Sequence, residues 1–136
     1  MSKSDYLENK ILDHALGTTA FTQPTNQYLA LHTADPTDAG TGAELSAAAE
    51  ANRTGYARIA VDFNAASSGT ATGPTAAKEF TNSHASSSWT AVTHFGIWDA
   101  SSSGNLLYHG ALTTAKTIAA GDTLRFNVDS ISISEA

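Results

Sequence analysis

The 136-residue chain contains no cysteine. That removes a disulfide framework and any thiolate metal site, and it suits synthesis in a reducing cytoplasm. Cations are scarce as well: seven Lys and Arg against thirteen Asp and Glu give a formal charge of -6, and the seven are nowhere clustered. A nucleic-acid partner needs concentrated positive charge, so DNA or RNA binding is not expected. No apolar run approaches the ~18 residues of a membrane span, and the polar start MSKSDYLENK does not read as a secretory leader. Gly-x-Ser-x-Gly, His-x-His and His-Glu-x-x-His are all missing. The glycine pairs in residues 40–42 and 69–73 lack the lysine of a phosphate loop, and no constellation passes the geometric requirements of a catalytic site. No enzymatic activity, metal or cofactor is expected.

What is present points to β-structure. Hydrophobic residues make up 41% and charged residues only 15%, enough for one core kept soluble largely by hydroxyls. The length suits one domain over residues 1–136. Residues 88–112 carry both tryptophans and read as a central β-hairpin. Ala91, Thr93, Phe95 and Ile97 fall on one face of its first arm, and Val92, His94, Gly96 and Trp98 on the other. A four-residue loop at 100–103 would set Ile97 opposite Leu106, Phe95 opposite Tyr108 and His94 opposite His109.

Residues 4–17 predict the one helix: Ser4 as N-cap, Asp5 and Glu8 at the positive end, Gly17 at the left-handed close. Its apolar stripe of Leu7, Ile11, Leu12, Ala15 and Leu16 needs a surface, either the chain's own sheet or a neighbouring subunit. Strands are expected at 27–33, with Leu29 and Leu31 on one face, and at 55–64, with Ile59, Val61 and Phe63 facing in and Arg58 facing out. Phe80 marks a short strand, and another is expected at 113–118. A last strand carries Leu124, Phe126 and Val128, followed by Ile131 and Ile133 at opposite parity, which requires a break near Asp129 and Ser130. Asp35 and Asp38 lie in a Pro-containing turn. Residues 43–52 read as a surface helix or loop, and 65–77 as a long connection or edge segment. About seven or eight strands and one helix imply an antiparallel β-sandwich or jelly-roll-like domain.

Residues 6–14 (YLENKILDH), 28–42 (YLALHTADPTDAGTG), 55–58 (GYAR), 93–99 (THFGIWD) and 104–112 (GNLLYHGAL), taken in order, resemble a family of small tailed-bacteriophage virion proteins. Its members are commonly labelled tail fibre proteins, and similar small β-domains act as capsid cement or decoration proteins. Residues 46–54 (SAAAEANRT) are longer than the link such proteins carry before the GYAR segment. The resemblance implies a non-enzymatic structural protein on the virion exterior, made in the host bacterial cytoplasm. Its expected partners are the major capsid protein or tail proteins and further copies of itself. Capsid cementing is the first expectation and a tail fibre role, with possible host-glycan binding, the alternative. Tyr6, Leu7, Ile11, Ala65 and Pro74 are the assembly-contact candidates; Trp89, Trp98 and Tyr108 are the candidate ligand-facing aromatics.

Overall fold

The computed structural model describes residues 1–45 and 55–135. In chain order these form β1 (Ser2–Lys3), α1 (Asp5–Ala15), β2 (Gln27–His32), β3 (Ile59–Val61), β4 (Thr70–Gly73), β5 (Lys78–Thr81), β6 (Val92–Trp98), β7 (Leu106–Lys116), β8 (Thr123–Phe126) and β9 (Ile131–Ser134). Five antiparallel strands make the main sheet in the order β1-β7-β6-β2-β3, while β4 pairs with β9 and β5 with β8 as two antiparallel ribbons. The protein is thus mainly β with one N-terminal helix, as its alternating patterns require.

The two-residue period puts Leu29, Leu31, Val61, Phe95 and Ile97 into one core with Phe80, Phe126 and Ile131 of the ribbons. Phe126 joins the layers, meeting Phe95 edge-on at 5.8 Å and Phe80 at 6.2 Å. Tyr56 stacks on Phe80 and meets the edge of Trp89, each at 6.0 Å. Such pairs add about 0.5–1.5 kcal/mol each beyond burial of their area. The other face of the sheet carries a smaller cluster of Tyr28, Ala30, Trp98 and Leu106.

The central hairpin forms, but in a different register. Trp98 stands opposite Leu106, Ile97 opposite Tyr108, Phe95 opposite Gly110 and His94 opposite Ala111. The tip is wider because Asp99 closes it: its carboxylate accepts from the backbone N–H of Asn105 at 2.7 Å and from Asn105 Nδ2 at 2.8 Å. Ser103 and Gly104 turn the chain in the left-handed region. A bulge between Ile97 and Trp98 lets Leu107 and Tyr108 both reach the main-core side. Phe95 therefore covers Gly110, where a Cβ would stand 3.2 Å from its ring, instead of facing Tyr108.

Other departures are local. Residues 113–116 do not start a new strand; they continue β7, arched past β6 by a register shift between Val92 and His94. The parity break falls where expected, with Asp129 at φ 56, but Val128 lies in that turn and is exposed instead of continuing the strand face of Leu124 and Phe126. β4 forms inside the 65–77 segment. Of residues 43–52, Ala43 turns the chain with φ 57 and Glu44 is then bridged to His32, followed by the buried Leu45; the remainder lies outside the described residues.

Ser4 caps α1 as expected, its Oγ accepting from Leu7 N–H at 3.2 Å, and Gly17 adopts φ 75 beyond the last turn. The same hydroxyl donates to the carbonyl of Leu106, and the Ser4 N–H reaches Leu107 O at 2.9 Å. One buried side chain thus starts the helix and fixes it to β7. Ser4→Ala is expected to cost about 2 kcal/mol, the cap and a buried carbonyl being lost together; chemical denaturation with an unchanged m-value checks it.

Candidate assembly surfaces

The loops at one end of the main sheet are gathered by Arg58, which leaves the GYAR segment just before β3. Its Nε and Nη2 donate to the two oxygens of Glu44 at 2.8 and 2.7 Å, and Nη1 donates to the carbonyls of Ala100 and Ser103, both at 2.8 Å. The guanidinium carbon sits 3.9 Å from the centre of the Trp98 ring, and the Arg58 side chain is only 6% exposed. The residue does face away from the main core, but into the second cluster and not into solvent. Tyr56 Oη donates to Glu44 at 2.9 Å and accepts from the Leu31 N–H at 3.1 Å.

Burial pushes the Glu44 carboxyl up, but the Arg58 fork, its charge and the Tyr56 hydroxyl outweigh this and hold it below its ordinary value. Burial likewise drives the Tyr56 hydroxyl far upward, so it remains a donor. His32, stacked on Trp98 at 6.1 Å, is pushed down chiefly by burial and stays neutral at pH 7. Its contacts assign the tautomer: Nδ1 donates to Gly42 O at 3.3 Å, and Nε2 accepts from Trp98 Nε1 at 3.4 Å.

A second tie lies on β7. His109 Nδ1 is 3.0 Å from Asp35, and Nε2 is 2.9 Å from Asp38. Asp35 also accepts from the Thr37 N–H at 2.9 Å, closing the turn its sequence announces, and the Asp38 carbonyl accepts from the Asp5 N–H at 2.9 Å. The turn thereby meets the start of α1. His94 faces His32 across β2 and β6 instead of facing His109. Among the described residues no three His, Asp or Glu gather to hold a metal ion, and no helix is long and apolar enough to cross a membrane.

Of the assembly candidates, Ile11 and Ala65 are exposed, Tyr6 is half-buried beneath Lys10, and Leu7 and Pro74 are buried. Among the aromatics, Trp89 is 1% and Trp98 8% exposed, so neither offers a ring face to a ligand. Tyr108 is half-buried, its hydroxyl donating to Glu135 at 3.0 Å and pushed up to about 12 by burial and that carboxylate.

Among the described residues, three of the five exposed large hydrophobics lie along α1 and its C-cap. Leu7 docks on the body of the protein, while Ile11, Leu12 and Leu16 stand 38%, 56% and 78% exposed. The helix meets β7 through its first turn, and past Leu7 its stripe is not spent on the chain's own core. Leu12 and Leu16 belong to the stripe visible in the sequence, but periodicity alone does not separate its inward from its outward half.

A family model described as Podophage GP4 fiber I protein gp80 matches residues 2–134. No curated protein matches the chain.

Proposed function

Because the chain belongs to the podophage GP4 fiber I protein gp80 family across nearly its whole length, we propose that this phage structural protein works as a fibre-apparatus subunit, attached to other virion proteins through the outward face of α1. The observation that carries the reading is the contrast along that helix: Leu7 is buried, and Leu12 and Leu16 are left open. An eleven-residue helix is marginal in water by itself, and a bare leucine stripe is costly unless something covers it. Residues 1–136 act as one domain, and Ile11 and Ala65 are carried forward as contact residues. No chemical step is assigned to it. Capsid cementing is the second reading, favoured by the shortness of that helix, which gives no coiled-coil shaft.

Leu12→Glu with Leu16→Glu is expected to leave stability within about 0.5 kcal/mol, since both side chains are exposed, and to reduce incorporation into particles at least tenfold. Mass spectrometry of purified virions reads the loss, and cryo-EM of wild-type particles separates fibre from head. Unchanged incorporation of the folded double variant would remove α1 from the assembly.

A further inference from the structure

The outward face of α1 is uneven along its length. At 100° per residue, Ile11, Leu12, Ala15 and Leu16 share one side with Asp5 and Glu8. The face is therefore acidic toward the helix start and apolar toward its end, and neither carboxylate has an ion-pair partner among the described residues. Two such faces laid against each other in a symmetric dimer would bring carboxylates onto leucines and onto one another.

The complementary chemistry lies at the far end of β7. There a groove of about 290 Å³ separates the continuation of β7 past Gly110 from β8 and β9, with Phe95, Leu112, Phe126 and Ile131 in its lining and Lys116 and Arg125 beside them. Arg125 already meets Glu79 at 2.8 Å. Lys116 has no acidic partner among the described residues, so the groove holds one uncommitted cation. Its volume lies at the small end of the range for ligand pockets, suited to side chains entering from a helix and not to a whole organic ligand. α1 joins β7 at Leu106 and Leu107, nine residues or roughly 30 Å of strand from Lys116.

We propose that α1 of one copy seats in the β7–β8 groove of a second copy, with Leu12 and Leu16 entering the apolar lining and Glu8 meeting Lys116. The two surfaces differ and lie apart on the same chain, so the contact, made once per pair of copies, runs head to tail and propagates into a ring or a filament. This contact rests on the outward face of α1 being an assembly surface, with a second copy as the virion protein that covers it, and cross-linking of the purified protein reads it apart from incorporation into particles.

The absence of native cysteine gives a clean test. Leu16→Cys and Thr114→Cys place single thiols on exposed positions of the two surfaces. Under mild oxidation, the mixture of the two is expected to give a disulfide dimer at least tenfold faster than a mixture of Leu16→Cys with Ser102→Cys, whose thiol sits at the exposed hairpin tip. A chain carrying both Leu16→Cys and Thr114→Cys is expected to give a ladder of oligomers. Adding Lys116→Glu should lower the rate, and adding Glu8→Lys as well should restore it. Circular dichroism melts confirm that each variant is folded. The proposal is overturned if Leu16→Cys alone dimerises as fast as the mixture, if the hairpin-tip control cross-links equally well, or if Lys116→Glu changes nothing.

Discussion

Arg58→Ala is expected to lower stability by about 3–5 kcal/mol, the usual cost of removing one partner of a buried ion pair. For a chain of this length that is a drop of roughly 10 °C or more in melting temperature. The loss follows from the contacts: among the described residues Glu44 keeps only the Tyr56 hydroxyl, the carbonyls of Ala100 and Ser103 lose the Arg58 donor, and Trp98 loses the guanidinium that covers it. Arg58→Lys is expected to recover little, since an ammonium cannot hold both carboxylate oxygens and two carbonyls at once. The depressed Glu44 carboxyl fixes the sign of the acid response. Its contribution is complete above its ordinary value of 4.5 and is lost as pH falls through the lower folded value. Thermal melts of wild type and Arg58→Ala over this acid range should therefore converge. Parallel curves would show that the contribution of the fork does not depend on the ionisation of Glu44.

Trp89→Ala carries a cost of similar size, about 3–5 kcal/mol for emptying a core site of this volume. Trp89→Phe is expected to be much milder, about 1–2 kcal/mol. The indole Nε1 is buried without a hydrogen-bond partner among the described residues, so phenylalanine removes a donor whose satisfaction is not forfeited. Urea unfolding followed by far-UV circular dichroism separates the two variants. Equal losses would mean that the indole nitrogen is satisfied.

The division between what was legible in the sequence and what was not follows the range of the forces. The Ser4 cap, the Gly17 close, the alternation of β2 and β6 and the parity break at Asp129 are set by residues within a few positions of one another, and each could be read locally. The hairpin register could not. Its tip is held from outside by Arg58, 42 residues before Ala100 and 45 before Ser103, and no turn preference encodes a guanidinium arriving from elsewhere. Asp35 and Asp38 read correctly as turn formers, yet their grip on His109 depends on strand pairing more than seventy residues on. On α1 the difficulty is of another kind. Burial against a sheet and burial against a partner select the same apolar residues at the same spacing, so the sequence shows the stripe and only the fold shows which half is left uncovered.

The way Arg58 holds the hairpin tip also bears on how the protein can vary. It grips the main-chain carbonyls of Ala100 and Ser103, not their side chains. Ser101 and Ser102 project exposed hydroxyls from a frame whose anchoring is indifferent to their chemistry, whereas Ser103 is held to the left-handed region. Substitutions confined to the first two side chains leave the anchor intact, so selection can rewrite the tip without renegotiating the fold beneath it. The same two positions are the natural ones at which to graft a short peptide or a label.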